Sequence, residues 1–280
     1  MIDYWPYELT PKRRLSAVAN AGPRRGALIR VNGGVADVHP WPELGDLPLD
    51  EQLSLLARGE TTPLTKASLS FASIDAAARR DRRNLFNGLT IPPSHWPGPD
   101  PPPDFDTVKL KSIDVIPDRV RLRIDFNATL TAEEFIRIAA TLPREQIDFI
   151  EDPCPYNADV WRELRSKTGL RLALDRAPSS PQHVNSYDVL ILKPALGEIP
   201  CTDKEIVVTS NMDHPIGQLC AAYAAATANI TTTCGLITHV LFKNDPFIER
   251  MRIDGTRLMP PGGTGWGFDD LLEKLPWQKL

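Results

Sequence analysis

Short apolar runs and polar segments alternate along the chain, and their spacing changes near residue 85. Before that point, the runs Tyr4–Leu9, Ala27–Val31 and Gly34–Val38 are typical of strands, and Gly33–Gly34 favours a hairpin. Apolar positions spaced by about 3.6 residues predict helices over residues 49–58 and 73–83. Strands followed by helices indicate a small α+β unit at the N-terminal end of the sequence.

Strand-like runs dominate the chain after residue 85. They cover residues 85–91, 107–111, 120–125, 147–151, 170–175, 189–193, 205–210 and 230–234. Three of the segments between them have helical character: residues 131–141, where Thr131 and Glu134 have capping-box spacing, 158–168 and 217–228. Eight strands with intervening helices predict an α/β fold with a (β/α)7β TIM-like barrel.

Two domains are expected from this order. Residues 1–84 form an α+β capping domain, to which residues 260–280 return, and residues 85–259 form the barrel that carries the site. The barrel is expected to be shortened, because the link from Lys111 to Val120 is too short for the dozen or so residues of a normal parallel crossover. We expect about three of the usual eight outer helices to be reduced or missing.

Composition and net charge bear on the connector after residue 90 and on the partners of the protein. The Pro-rich stretch Ile91–Pro103 cannot form a helix interior and predicts an extended connector. A formal net charge of −4 does not favour nucleic acid or an anionic membrane as partner. The longest apolar stretch, Leu219–Ala226, is too short to span a bilayer. We therefore expect a cytoplasmic protein, either a monomer or a homodimer, with no nucleic-acid or membrane partner.

The cysteines and the paired arginines have plain structural interpretations. None of the four cysteines, Cys154, Cys201, Cys220 and Cys234, belongs to a C-x-x-C pair, so we expect small core residues. The histidines His183, His214 and His239 lack metal-ligand spacing. The pairs Arg13–Arg14 and Arg24–Arg25 are expected on solvated faces.

Charged residues stand at or near the ends of five successive apolar runs. They are Lys109, Lys111, Asp125, Glu151, Asp175 and Lys193. Because the carboxyl ends of parallel strands meet at one face of a barrel, these side chains predict a site there. Three carboxylates gathered together cannot all stay ionised without a cation. Ligation by oxygen alone, with no histidine, favours Mg²⁺ over zinc.

The lysines suggest proton transfer beside this cation. Lys109 and Lys111 are two residues apart, so they point to the same side of their strand, and Lys193 can face them across the barrel mouth. Neighbouring positive charge disfavours the ammonium form, so one lysine could act as a neutral base. The cation would bind a substrate carboxylate and stabilise the enolate that remains when the α-proton leaves. Arg123 alternates with Asp125 and is expected to point inward with it.

The order Lys-x-Lys, R-I-D-F-N, I-E-D-P, A-L-D and L-K-P resembles the muconate-lactonizing subgroup of the enolase superfamily. Within it, four further segments resemble the o-succinylbenzoate synthases: Arg123–Asn127, Thr209–Gly217, Cys234–His239 and Gly263–Phe268. Ala36–Trp41 resembles the capping-domain loop that precedes the substrate in that family. The resemblance covers nearly the whole chain.

The resemblance implies an Mg²⁺-dependent hydro-lyase that acts on a small carboxylate, converting 2-succinyl-6-hydroxy-2,4-cyclohexadiene-1-carboxylate to 2-succinylbenzoate in menaquinone biosynthesis. Lys111 would be the base and then the acid, Lys193 would stabilise the enolate, and Lys109 would lower the pKa of Lys111. Asp125, Glu151 and Asp175 would bind Mg²⁺. Substrate contacts are expected from Arg123, Asn127, Ser210, Asn211, Cys234 and Gly235, with the backbone acting at the last two. Asn211 and Asp213 stand where the family often has Ser and Glu.

Other functions remain open from the sequence. Racemisation of an N-acylated amino acid or epimerisation of a dipeptide needs a base on each face of the substrate, which Lys111 and Lys193 could supply. No Asp-x-Asp motif follows Cys234 to hold a dipeptide amine, and we rank that reaction lower. Muconate cycloisomerisation is a third possibility. A degenerate, non-catalytic barrel that binds a ligand is a fourth, although the complete set of charged residues argues against it.

Overall fold

The computed structural model describes residues 1–15, 19, 22–175 and 185–280. His183 lies outside these residues. In chain order, the strands of the described residues are β1 (Ile2–Leu9), β2 (Arg24–Val31), β3 (Gly34–Val38), β4 (Thr107–Leu110), β5 (Arg121–Asp125), β6 (Ile147–Glu151), β7 (Leu172–Leu174), β8 (Val189–Leu192), β9 (Glu205–Val208), β10 (Arg252–Asp254), β11 (Arg257–Met259) and β12 (Gln278–Lys279). The α-helices are α1 (Leu49–Ala57), α2 (Pro63–Arg80), α3 (Ala132–Ala139), α4 (Ala158–Thr168), α5 (Pro215–Thr227) and α6 (Asp269–Leu272).

An antiparallel sheet and two helices form the N-terminal part of the fold. The sheet has the order β12-β1-β2-β3, so the last residues of the chain pair with the first strand. Asn32 and Gly33, both with positive φ, form the expected hairpin turn between β2 and β3. Helix α2 begins ten residues before the predicted start, because Thr62 and Thr65 form a capping box and Pro63 occupies the first turn.

The barrel has a parallel sheet in the order β4-β5-β6-β7-β8-β9. It is closed by two very short segments, which we call the first stave (Ser94–Trp96) and the last stave (Cys234–Gly235). Trp96 pairs with β4, Ser94 pairs with Cys234, and Gly235 pairs with Thr209 directly after β9. A shortened, closed barrel with an N-terminal antiparallel unit is therefore confirmed, as six strands and two staves within the described residues.

Two of the eight predicted barrel strands differ from the structure. The expected strand over residues 85–91 is wrong: Leu85–Gly88 form turns, and the first stave lies inside the Pro-rich segment instead. Residues 230–233 are also irregular, and pairing is limited to the last stave. The proline residues around Ser94 lack N–H donors, which restricts this segment to isolated pairing.

The outer helices are reduced, as expected. In the described part of the chain, α3, α4 and α5 follow β5, β6 and β9, and no helix follows β4 or β8. The capping box at α3 is present, with Glu134 N–H donating to Thr131 Oγ1 at 3.2 Å and Thr131 N–H donating to Glu134 Oε2 at 2.8 Å. No α-helix of the described residues is long and apolar enough to cross a membrane.

The C-terminal residues are bound to the capping unit by buried hydrogen bonds. Buried Asp75 of α2 accepts hydrogen bonds from the N–H groups of Val35 and Trp266, both at 2.8 Å. The Trp266 indole donates to Val35 O at 2.8 Å. The domain boundary at residue 84 stays a prediction. Of the four cysteines, Cys201 is exposed, so the expectation of a core position is wrong for that residue.

Candidate active site

The charged residues predicted at the strand ends lie together at the carboxyl end of the barrel. Asp125 and Glu151 are the last residues of β5 and β6 and are paired in register. Asp175 follows β7, Lys193 follows β8, and Lys109 and Lys111 lie at the end of β4. The charged side chains that reach the open mouth stand at or directly after the ends of these strands, as the sequence predicts.

The lysines make close ion pairs with the carboxylates. Lys109 Nζ lies 2.6 and 2.7 Å from the two carboxylate oxygens of Glu151 and 3.1 Å from Asp125 Oδ2. Lys111 Nζ lies 3.6 Å from the same Asp125 oxygen. Lys193 Nζ contacts Asp175 Oδ2. The carboxylates thus lie between lysines from β4 and from β8.

These groups open onto a cavity of about 650 Å³. Of the predicted residues, its wall includes Lys109, Lys111, Asp125, Asn127, Asp175, Lys193, Ser210, Asn211 and Gly235. Glu151, Arg123 and Cys234 lie behind that wall. A space of this size suits a small organic acid.

Burial and mutual charge shift the proton affinities of the cluster. Burial, followed by the charge of Asp125, raises the pKa of Glu151 to about 7. Burial also lowers the pKa of Lys111, and the charge of Lys109 adds to that effect. For Lys109, burial acts in the same direction, but the carboxylates of Asp125 and Glu151 outweigh it and raise the pKa. The pKa of Lys109 is therefore raised and the pKa of Lys111 is lowered, although the two lysines are neighbours.

The carboxylate set suits a hard divalent cation. Asp125, Glu151 and Asp175 come from adjacent strands, whose spacing of about 4.8 Å lets their oxygens reach one ion. Among the described residues, no three acidic, histidine or cysteine side chains already converge on one point, since ammonium groups engage these carboxylates. Lys109 Nζ lies between Asp125 and Glu151, which shows that this position attracts positive charge. The donors fit Mg²⁺ once Lys109 moves aside.

Arg123 points inward as predicted, but below the cavity. Its Nε donates to Asp148 Oδ2 at 2.7 Å and its Nη1 to Thr233 O at 2.6 Å. The guanidinium also lies 4.7 Å from the Phe149 ring centroid and is 2% exposed. This position does not support the predicted contact with substrate, because protein groups surround the guanidinium.

Several other predicted substrate contacts are already engaged with protein groups. Asn127 Nδ2 donates to Asp125 Oδ1 at 2.8 Å, and Asn211 Nδ2 donates to His39 O at 2.9 Å. Ser210 Oγ lies 2.5 Å from Thr238 Oγ1. Asn127 therefore orients a carboxylate, whereas Asn211 ties the barrel to the capping sheet.

The predicted backbone donors of the last stave are used in closing the barrel. Cys234 N–H donates to Pro93 O at 2.7 Å, and Gly235 N–H donates to Val208 O at 2.9 Å. The Cys234 side chain is fully buried. The expectation that these N–H groups hold a substrate carboxylate is therefore corrected: both already have partners.

Three side chains on the cavity wall were missed as site residues. Arg13 and Arg14, expected on a solvated face, both line the cavity, and so does His95 of the first stave. Arg13 Nη2 donates to Pro97 O at 2.6 Å, which holds the N-terminal loop against the barrel mouth. No local pattern marks these residues, because only the folding of the capping segment over the barrel brings the arginines there.

Comparisons with known proteins agree with this architecture. Residues 2–78 match the family described as O-succinylbenzoate synthase, N-terminal domain, and residues 75–187 match the family described as Enolase C-terminal domain-like. Among solved structures, a dipeptide epimerase from Cytophaga hutchinsonii, complexed with Mg and the dipeptide D-Ala-L-Val, has a TM-score of 0.76 at 15% identity, covering 99% of this chain and 98% of that one. The L-Ala-D/L-Glu epimerase from Bacillus subtilis has a TM-score of 0.75 at 14% identity, covering 95% and 97%. These likenesses show the fold.

Similarity to curated relatives identifies the family, whereas similarity to the solved structures shows only the fold. An o-succinylbenzoate synthase from Bdellovibrio bacteriovorus is 32% identical over 324 residues, covering 100% of this chain and 98% of the relative. An o-succinylbenzoate synthase from Thermobifida fusca is 26% identical over 156 residues, covering 50% of this chain and 49% of that protein. The chain matches the first of these enzymes over its whole length, and its N-terminal residues match the N-terminal domain family of these synthases. The chain therefore belongs to the o-succinylbenzoate synthase family of the enolase superfamily.

Proposed function

We propose that this protein is an Mg²⁺-dependent o-succinylbenzoate synthase of menaquinone biosynthesis. It removes water from 2-succinyl-6-hydroxy-2,4-cyclohexadiene-1-carboxylate and releases 2-succinylbenzoate. The observation that carries this proposal is the placement of three carboxylates, at the ends of β5, β6 and β7, between lysines at the ends of β4 and β8 beside one cavity. The whole-chain similarity to a synthase of this name supports it.

The carboxylates would hold the metal ion. Asp125, Glu151 and Asp175 offer oxygen ligands on adjacent strands, and Asn127 orients Asp125 through its side-chain amide. Mg²⁺, when bound, supplies positive charge that stabilises the negative charge developing on the substrate carboxylate. Lys109, whose pKa is raised by its carboxylate neighbours, would contribute further positive charge at this wall.

Lys111 is the proposed proton carrier. Its pKa is lowered by burial, and its contact with Asp125 is longer than that of Lys109. Lys111 would take the α-proton from the ring carbon, and the electron pair of that C–H bond would be delocalised into the adjacent carboxylate and then form the new ring double bond as the C–O bond to the hydroxyl group breaks. The same proton then passes to the departing hydroxide, which leaves as water, and both events occur on one face of the ring. The product is aromatic, which favours the step.

Lys193 would act from the opposite face of the ring. In a closed barrel of six strands and two staves, β8 lies diametrically across from β4. The Lys193 ammonium is held by Asp175 at that wall. It would stabilise negative charge on the ring by a cation–π contact.

The direct test is turnover of the cyclohexadiene substrate by the purified protein with Mg²⁺, followed through the aromatic product. We expect turnover by the unaltered protein, and loss of activity by about 10³-fold or more in Lys111→Ala, because the proton carrier is removed. Mg²⁺ affinity should change little in that variant, as measured by calorimetry. Lys167→Ala, at an exposed lysine of α4, is the matched control and should retain full activity. A folded, Mg²⁺-bound protein without turnover would refute the synthase proposal and leave the racemase or epimerase reaction and a ligand-binding barrel as alternatives.

A second reaction is favoured by one observation. Lys111 and Lys193 face the cavity from opposite walls, as racemisation or epimerisation of an acylated amino acid or dipeptide requires. Exchange of the α-proton of an N-succinyl amino acid in deuterated water, at a rate above that of the dehydration, would support this alternative. Exchange much slower than dehydration would leave it as a side activity at most.

A further inference from the structure

Two polar side chains flank Gly235 on the cavity wall and have no assigned role. The imidazole of His95 is packed against Gly235 so closely that a Cβ added there would lie 3.1 Å from Nε2. Thr209 approaches the same point, with Cγ2 at 2.9 Å. Both residues line the cavity and are at least nine-tenths buried. Thr209 Oγ1 has no hydrogen-bond partner among the described residues.

The bond between Arg123 and His95 determines where the imidazole carries its proton. Arg123 Nη1 lies 3.2 Å from His95 Nδ1. A guanidinium can only donate, so Nδ1 must accept and the proton resides on Nε2. Arg123 cannot turn away easily, because Asp148 and Thr233 O hold it from other directions. Burial and the charges of Arg123 and Lys109 lower the pKa of His95, which keeps the ring neutral.

The other donors at this wall are already in use. The N–H groups of Cys234 and Gly235 close the barrel, and Leu236 N–H donates to Ser94 Oγ at 3.1 Å. Among the described residues, His95 Nε2 and the buried Thr209 Oγ1 are thus the polar side-chain atoms beside Gly235 without a protein partner.

Barrel order places this pair across from the carboxylates. The first stave lies opposite β7, the last stave opposite β6, and the end of β9 opposite β5. A substrate whose reacting carboxylate lies at Asp125, Glu151 and Asp175 would extend its other end toward His95. Since the proposed substrate carries a second carboxylate on its succinyl chain, that group meets the opposite wall.

We propose that His95, through Nε2–H, and Thr209, through its hydroxyl, form the subsite for the substrate carboxylate remote from the reacting carbon. Arg123 is the positioning residue that fixes the His95 tautomer. This assignment rests on the proposed function and explains why a buried arginine lies beneath the cavity without lining it.

The tautomer can be measured without turnover. In protein labelled with ¹⁵N-histidine, with His95 assigned by comparison with His95→Gln, we expect a neutral ring protonated at Nε2 from about pH 5.5 to about pH 8.5. Adding 2-succinylbenzoate with Mg²⁺ should shift the Nε2 resonance, whereas benzoate with Mg²⁺ should not. A proton on Nδ1, titration of the ring near its ordinary pKa, or equal shifts with both ligands would overturn the proposal.

Kinetics separate this proposal from the proposed function. His95→Leu should raise KM by about 10- to 100-fold, with kcat changed by less than about threefold, because a hydrogen bond to a charged group is lost away from the reacting atoms. His95→Gln keeps an N–H near the position of Nε2 and should recover most of the affinity. Thr209→Val should raise KM and Thr209→Ser should not.

Unchanged KM in folded His95→Leu would overturn the proposed subsite while leaving the proposed synthase function intact. Absence of turnover by the unaltered protein would overturn the synthase and, with it, the identity of the ligand.

Discussion

At the scale of single residues, Lys109 and Lys111 differ in charge environment although they are two residues apart on one strand end. Lys109 contacts two carboxylates, at 2.6 Å and 3.1 Å, while Lys111 reaches one of them at 3.6 Å. Both are buried, so the balance between desolvation and attraction decides their proton affinity. Attraction wins at Lys109 and desolvation at Lys111. In the proposed mechanism, this difference would keep Lys109 charged while Lys111 takes up and releases a proton.

Glu151→Gln should weaken Mg²⁺ binding by about 100-fold or more, because an amide supplies one neutral oxygen in place of a carboxylate. Glu151 is 2% exposed and engages Lys109 with both of its oxygens. Calorimetric titration with Mg²⁺ measures the effect without any substrate. Glu163→Gln, on the exposed face of α4, is the control and should bind Mg²⁺ as the unaltered protein does. Equal affinity in the two variants would remove Glu151 from the proposed ligand set.

The charged strand ends were predictable because each one interrupts an apolar run where the chain leaves the core. The direction in which Arg123 points was also predictable from alternation with Asp125. Its depth in the barrel was not, since that depends on Asp148, Thr233 and His95, which come from three other segments. His95 lacked any sequence signal for the same reason: its tautomer depends on a partner 28 residues away.

At the scale of elements, β3 and α2 of the capping unit approach each other closely at Gly34. A Cβ on Gly34 would lie 2.0 Å from Ala72 O and 2.3 Å from Ala76 N, which are backbone atoms of the helix. Neither atom can move without disturbing the helical hydrogen bonds. The absence of a side chain at Gly34 therefore sets the distance between sheet and helix.

Gly34→Ala should lower the free energy of unfolding by about 3 kcal/mol or more, because overpacking against backbone outweighs the reduced entropy of the unfolded chain. Chemical denaturation followed by circular dichroism gives the value. Gly197→Ala is the matched control, since a Cβ at Gly197 meets nothing within 4 Å. A loss below about 0.5 kcal/mol at Gly34 would show that sheet and helix can separate without cost.

Most helices and strands of the sheet and barrel were predictable, and the predicted run 230–234 reached Cys234 of the last stave, while the first stave was not predicted. The capping box at Thr131 and the apolar spacing of α4 are local signals that act within one element. The first stave contributes only Ser94 and Trp96 to bridges, and its partners lie on β4 and on Cys234. Two paired residues are too few to establish an alternating pattern, and the flanking prolines favour a loop.

At the scale of the whole molecule, capping sheet and barrel are joined by a buried polar contact. Tyr7 donates to Asp37 Oδ1 at 2.7 Å, and His214 N–H donates to Asp37 Oδ2 at 3.1 Å. Asp213 lies beside this group, because a Cβ on Gly217 would be 2.6 Å from Asp37 Oδ2 and 2.7 Å from Asp213 Oδ2. Two carboxyl groups from the two parts of the fold thus share one buried space, where both cannot ionise readily.

Asp213→Asn should make the protein more stable at alkaline pH. Burial raises the pKa of Asp213 to about 7, from 3.8 for the ordinary group, and Asp213 Oδ1 has no partner among the described residues. Between those two values the folded protein binds more protons than the unfolded chain, so stability falls as pH rises from about 4 to about 7 and stays lower above. An amide cannot ionise, so near pH 8.5 the variant should gain about 2 kcal/mol over the unaltered protein, with a much smaller difference near pH 5.

Thermal unfolding across this pH range measures the difference in stability between the variant and the unaltered protein. Asp159→Asn, on the surface of α4, is the control and should not alter the profile. A stability difference independent of pH would mean that Asp213 is already ionised at pH 5 and that its charge is accommodated at the contact.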